Sequence, residues 1–280
     1  MQAIPRTTEL EPLVACLENR RILVLSGAGI STDSGIPDYR GPVSSKRPRN
    51  PMRYQQFIGS AAARQRYWAR SFRGWLPVQW AQPNAGHKAL AQLETTGNLA
   101  GILTQNVDGL HQAAGSKEVL ELHGSLARVR CLACGQLETR ARVQRRMAHL
   151  NPEFEARSVV LAPDGDADVA QALIENFEVP SCLRCRGTLK PDVVFFGENV
   201  PGERVTRAWE LFAEAEVLLV VGSSLTVFSG YRFVARAAKE GKPVAIINQG
   251  QTRGDACATV RLDAPLGEVL PYLAKTFSAR

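Results

Sequence analysis

A chain of 280 residues with 45% hydrophobic content can bury one large core or two unequal ones. Its 34 basic and 27 acidic residues leave a formal charge of +7, which favours acidic ligands such as a pyrophosphate and does not by itself indicate nucleic acid. No apolar run approaches the roughly eighteen residues of a membrane span, and the segment before the first strand lacks a signal-peptide core or a long Arg- and Ser-rich presequence, so the chain reads as cytoplasmic.

In chain order, Leu10, Leu13, Val14 and Leu17 stand at helical spacing within residues 7–20 and lead into a strand. Ile22, Leu23, Val24 and Leu25 read as that strand, buried and parallel, stopping at Ser26-Gly27-Ala28-Gly29. Glycines at a strand's carboxyl end let backbone turn sharply and approach a phosphate, with N–H groups as donors. Gly-x-Gly alone is weak evidence. Thr32 replaces the third glycine of GxGxxG, and no strand ending in Asp or Glu follows to clamp a ribose. Ser31 and the polar run Ser34-Gly35-Ile36-Pro37-Asp38-Tyr39-Arg40 follow instead, and residues 41–51 read as a mobile Pro- and Ser-rich loop.

Residues 54–76 look helical and aromatic-rich, and Pro83-Asn84 opens a helix running to a turn at Gly97. Strands are expected at 101–107, 119–122, 193–196, 217–221 and 244–247, with helices at 108–115, 203–214, 230–240 and 266–276. That alternation implies an α/β fold: a doubly wound parallel sheet whose ligand lies off the strands' carboxyl ends. Five strand tips there are small or polar: 26–29, Gln105 to Asp108, His123-Gly124, Gly222-Ser223-Ser224 and Asn248-Gln249-Gly250. Their convergence suggests one binding crevice.

Four of six cysteines form two Cys-x-x-Cys pairs, Cys131/Cys134 and Cys182/Cys185, which suit a closed tetrahedral zinc site better than disulfides. The 47 residues between the pairs exceed the spacing of a compact ribbon. They hold a basic helix (residues 140–149) and an acidic turn, Pro163-Asp164-Gly165-Asp166, read as a solvated loop and not a calcium site. Cys16 and Cys257 read as small half-buried residues.

The stretch GAGIS-x-x-SGIPDYRG resembles the signature of the sirtuins, NAD-dependent protein deacylases. TQNVDGLH (104–111), LHGS (122–125), KPDVVFFGE (190–198) and VVGSSLTV (220–227) match in the family's order, and PDYRG with RQRYWAR (64–70) is most similar to the class II branch. The resemblance implies a Rossmann-like NAD domain from residues 1–45, 84–125 and 190–280. A smaller domain would combine a helical layer, 46–83, with a zinc module, 126–189. It implies that Gly27, Ala28, Gly29, Ile30, Ser31, Asp38, Tyr39, Arg40, Gln105, Val107, Asp108, Gly222, Ser223, Ser224, Asn248, Gln249, Gly250 and Leu266 surround NAD. Asp108 with the Val107 backbone would hold the nicotinamide carboxamide, and Gln105 and Asn106 would orient the ribose and a water. His123 would be the general base, as a side chain titrating near neutrality; alternatively it is a hydrogen-bonded histidine at a strand end. His111 reads as structural, and His87 and His149 carry no chemical motif.

The resemblance further implies that Val193, Phe196, Gly197, Glu198 and Leu225 present backbone to an acylated-lysine peptide added as a strand. Tyr67 and Arg70, one helical turn apart, either bind an acidic acyl group, as a similar pair does in desuccinylating sirtuins, or make an ordinary aromatic–Arg contact. Three rivals remain at this point. A dehydrogenase lacks its GxGxxG and acidic clamp here. A zinc-ribbon nucleic-acid binder would use Arg128, Arg130, Arg140, Arg142, Arg145 and Arg146, and a mono-ADP-ribosyltransferase would share the NAD site.

Overall fold

The structure, a computed structural model, describes residues 7–38, 51–154 and 174–279. Tyr39, Arg40, residues 41–50 of the expected loop and the expected acidic turn at 163–166 lie outside the described residues. The described elements run α1 (Thr7–Leu17), β1 (Ile22–Ser26), a 3-10 turn (Ala28–Ser34), α2 (Tyr54–Gly59), α3 (Ala61–Trp80), α4 (Ala85–Thr95), β2 (Leu99–Thr104), α5 (Leu110–Ala113), β3 (Val119–Glu121), β4 (Gly124–Cys131), β5 (Leu137–Thr139) and α6 (Arg140–Leu150). They continue with β6 (Leu189–Val193), α7 (Gly202–Glu214), β7 (Val217–Val221), α8 (Phe228–Lys239), β8 (Val244–Ile247), β9 (Val260–Leu262) and α9 (Leu266–Ser278). No described helix is long and apolar enough to cross a membrane.

Six strands form a parallel sheet in the order β3-β2-β1-β7-β8-β9. Its four inner strands, β2, β1, β7 and β8, are buried along their whole length, as a sheet covered by helices on each side requires. Ile22 and Val24 pack with Leu90, Leu270 and Leu273 of α4 and α9, while Leu23 and Leu25 pack with Leu211, Phe212 and Phe233 of α7 and α8. Each such side chain buried contributes about 1.5–3 kcal/mol. This is a Rossmann-like, doubly wound arrangement.

A second sheet, β5-β4-β6, is antiparallel and packs on α3 and α6 around Trp68, Val129, Val143, Met147 and Leu189. Here the structure corrects the expected strand at 193–196. The pairing segment is Leu189–Val193, and it joins β4 in the small sheet instead of returning to the main one. Cys131 pairs opposite Leu189, so the second cysteine pair delivers the chain directly to β4 as its nearest partner. The edge strand β9 was not expected: it is only three residues long, with Arg261 at its centre. The single helix expected at 54–76 is broken at Ser60, whose side chain accepts from the Ala63 N–H at 3.2 Å and caps α3.

The cluster of arginines near the cysteines is largely neutralised within the fold. Arg128 and Arg130 reach Asp192 at 3.1 and 3.2 Å, and Arg146 reaches Glu138 at 3.2 Å. Arg140 is buried, its guanidinium 5.5 Å over the Trp68 ring and 5.3 Å over Trp75, and burial holds its pKa down at about 9.

Candidate active site

In an open parallel sheet the strand order reverses where two neighbouring crossovers leave on opposite faces, and here that point lies between β1 and β7. A cavity of about 1320 Å³ opens at their carboxyl ends, and it collects the tips of β1, β2, β3, β7 and β8. All five small or polar strand tips singled out in the sequence meet there.

Close backbone approach builds the first wall. A Cβ on Gly27 would lie 2.7 Å from Ser223 Cβ, and one on Gly222 would lie 2.5 Å from the Ile30 nitrogen. Gly222 also has φ +59°, a left-handed conformation that favours glycine. The N–H groups of Gly27 and Gly29 do not point free into the cavity, as expected of phosphate donors. They donate to Val221 O at 3.0 Å and Gly222 O at 2.8 Å, stitching the β1 and β7 tips together. The two glycines therefore serve proximity, and the turn keeps Ala28 and Gly29 half-buried at the cavity.

The second wall is a chain of side chains. Asn106 Nδ2 donates to Gly27 O and to Ser31 Oγ, both at 3.1 Å, and the Ser31 hydroxyl donates to Asp108 Oδ2 at 2.7 Å. Asp108 Oδ1 accepts from the Leu110 N–H at 2.9 Å, and burial pushes its carboxyl pKa up. Gln105 Nε2 donates to Ser223 Oγ at 2.7 Å, joining β2 to β7. Below this layer, Ser26 Oγ meets Thr104 Oγ1 and His111 Nε2, each at 2.8 Å, so His111 is a buried support, as its sequence reading held.

His123 lies on the same cavity with Nδ1 3.0 Å from Gln105 O and Nε2 2.7 Å from Ser229 Oγ. Burial, reinforced by the nearby Arg232 and Arg204 charges, lowers its pKa to about 4, so the ring is neutral at pH 7. Residues 196–198 and 225–227 also line the cavity. Phe196 O accepts from the Tyr54 N–H at 3.0 Å and Gly197 O from Gln55 at 3.0 Å, so α2 holds this edge in place. The Glu198 carboxylate is engaged inside its own loop, accepting from the Phe195 N–H at 2.8 Å and pairing with Lys190 at 3.0 Å.

Of the residues expected around NAD, Ser31, Asp38, Val107, Ser224, Asn248, Gln249 and Gly250 also line the cavity. Ile30 and Leu266 do not: they sit in the core behind the Gly222 turn. Val193, Leu225 and Tyr67 line it, whereas Arg70 is absent from the lining. Ser229 and Arg232, at the start of α8, line it and were missed. The only sequence signal for them is a serine just inside a helix that follows a glycine-marked strand tip.

The four paired cysteines place their sulfurs within 4.8 Å of one another, with Cys131–Cys185 at 3.5 Å and Cys134–Cys182 at 3.8 Å. Tetrahedral zinc with Zn–S bonds of about 2.3 Å needs sulfur separations of about 3.8 Å, so the donor set fits one closed, structural ion. Gly187 leaves room beside it, since a Cβ there would lie 3.0 Å from Cys131 Sγ.

Comparison with known proteins agrees with this architecture. The profile described as Sir2 family matches residues 27–229. NAD-dependent protein deacetylase 1 of Mycobacterium avium (strain 104) is 54% identical over 275 residues, covering 96% of each chain. The Bos taurus NAD-dependent protein lipoamidase sirtuin-4, mitochondrial, is 48% identical over 91% of this chain and 82% of its own. A solved Sir2 complex with a p53 peptide and NAD+ superposes with TM-score 0.77 at 30% identity, covering 97% of this chain and 99% of that one. With a profile spanning most of its length and relatives identical at half their positions, this chain belongs to the Sir2 family.

Proposed function

We propose that the protein is an NAD-dependent protein-lysine deacylase that moves the acyl group of a modified lysine onto the ADP-ribose of NAD and releases nicotinamide. The observation that carries this reading is that a neutral imidazole, His123, and the Asn106–Ser31–Asp108 chain face one cavity that is also lined by residues 196–198 and 225–227. Related structures hold the expected ligands: one contains a peptide with NAD+, another a propionylated peptide.

NAD supplies the electrophilic ribose carbon and the nicotinamide leaving group. Gly27, Gly29 and Gly222 would let the pyrophosphate approach backbone closely, and Asp108 with Val107 would hold the carboxamide. Asn106 would orient the ribose. His123 would take a proton at Nε2 from a ribose hydroxyl, and its neutral state at pH 7 leaves that atom free of a proton. The backbone of Phe196, Gly197 and Leu225 would frame an added substrate strand. The four cysteines would hold zinc as a structural clasp on β4 and the segment entering β6. Metal-spaced, reduced thiols favour a reducing compartment, so a cytoplasmic setting belongs to the same proposal.

Tyr67 reaches the cavity without Arg70, and its neighbours there include Ile36, Met52, Val193 and Phe195. That lining favours a neutral, apolar acyl chain over succinyl or glutaryl, and it is compatible with the lipoamidase relative. A panel of acyl-lysine peptides assayed with NAD tests both points. Succinyl preferred over every neutral acyl group would refute the apolar-chain reading, and NAD label passing to protein without acyl dependence would favour ADP-ribosyl transfer.

A further inference from the structure

His123 is held at both ring nitrogens, and the partners fix which one carries the proton. A carbonyl can only accept, so Nδ1, 3.0 Å from Gln105 O, is the N–H. Nε2 of the neutral ring is then a bare lone pair, and the Ser229 hydroxyl, 2.7 Å away, donates to it. Ser229 lines the same cavity from the first turn of α8, and its own carbonyl accepts from Arg232 Nε at 3.1 Å. The atom that the proposed chemistry needs open is therefore occupied by a hydroxyl of the protein.

We propose that Ser229 is a positioning residue for His123, a hydroxyl that occupies Nε2 in the free enzyme in the donor role a ribose hydroxyl takes when NAD binds. This rests on the deacylase reading, which alone gives His123 a base role. The exchange replaces one O–H donor with another, so the ring keeps its tautomer and orientation while the site fills. It also has an electrostatic consequence. A donor to the lone pair favours the neutral ring, and the charges bearing on that ring act in the same direction. These are Arg232 on α8 and Arg204 on α7, the latter paired with Asp192 of β6 at 3.1 Å. Removing the hydroxyl while leaving both arginines should therefore raise the His123 titration midpoint.

The test is a ¹⁵N-histidine NMR titration of the full chain with zinc bound, on wild type, Ser229→Ala and Ser229→Thr, with nicotinamide release from NAD and an acetyl-lysine peptide measured across pH. Wild type should show the Nδ1–H tautomer. Ser229→Ala should raise the His123 midpoint by about 0.7 unit, the size of one net hydrogen bond, and move the acid limb of kcat/KM for NAD up by the same amount. Ser229→Thr, which keeps the hydroxyl, should restore both. A purely structural role would lower activity equally at every pH, and that result would overturn the proposal. So would an unchanged midpoint in Ser229→Ala with release intact. No acyl-dependent release from wild type would instead overturn the deacylase reading and the ribose half of the proposal with it.

Discussion

Acidification should destabilise this fold well before carboxylates are protonated, through a pair of histidines beneath the site. His87 and His111 are 0% and 1% exposed, with ring centroids 4.9 Å apart. Burial lowers their pKa values to about 4 and about 3, from 6.5 in an exposed chain. The unfolded chain therefore binds these protons first, and stability that is complete above pH 6.5 is lost as pH falls toward the folded values. At pH 5 each histidine costs about 2 kcal/mol, so the pair costs about 4, a large fraction of the 5–15 kcal/mol typical of a domain. Asp108, whose pKa is raised, works in the opposite direction: the folded state takes up its proton before the unfolded state does as pH falls toward 3.8, which offsets part of the loss. His87 isolates the effect, because both of its ring nitrogens are buried without a hydrogen-bond partner among the described residues. His87→Leu should be neutral or stabilising at pH 7.5, because no bond is lost, and should flatten the pH dependence by about 2 kcal/mol between pH 7.5 and 5. Urea unfolding of both proteins at matched pH measures this, and any loss of zinc at low pH cancels in the difference. Parallel stability curves would refute the reasoning.

Gly222→Ala combines a left-handed φ of +59° with a Cβ 2.5 Å from the Ile30 nitrogen. A loss of about 2–4 kcal/mol is expected, together with loss of NAD binding by calorimetry; a wild-type melting temperature would contradict the close packing of the two strand tips. Removing zinc with a strong chelator should open the small sheet and change the emission of Trp68 and Trp75, and one equivalent of zinc should restore it. An unchanged spectrum in demonstrably metal-free protein would show that the cysteines are not a folding clasp.

The parts of the fold visible in the sequence were those with local signatures. Ile22 to Leu25 is a continuous apolar run ended by glycines, and its partners repeat that pattern, so the sheet, its helices and the convergent tips followed directly. Leu189–Val193 was misplaced because its strand is mixed, with Lys190 and Asp192 buried in ion pairs and partnered across the zinc clasp. The N–H groups of Gly27 and Gly29 looked free because their acceptors, Val221 and Gly222, lie nearly two hundred residues away. Ser229 was invisible for the same reason, its contact with His123 spanning 106 positions. Arg140 reads from the sequence as part of a basic helix and of an arginine cluster that could meet nucleic acid, yet the ring faces of Trp68 and Trp75, on another helix, enclose it. Charged side chains are exposed by default, and only the packed partners show when one is not.

The most direct test incubates the zinc-loaded protein with NAD and an acetyl-lysine peptide and quantifies nicotinamide, acyl-ADP-ribose and deacylated peptide by mass spectrometry. Equal amounts of the three, formed only when the peptide is acylated and abolished in His123→Ala, are expected from a cavity in which one neutral histidine serves both ligands. Deacylated peptide appearing together with free acetate while NAD stays unconsumed, or equal yields from His123→Ala, would contradict it.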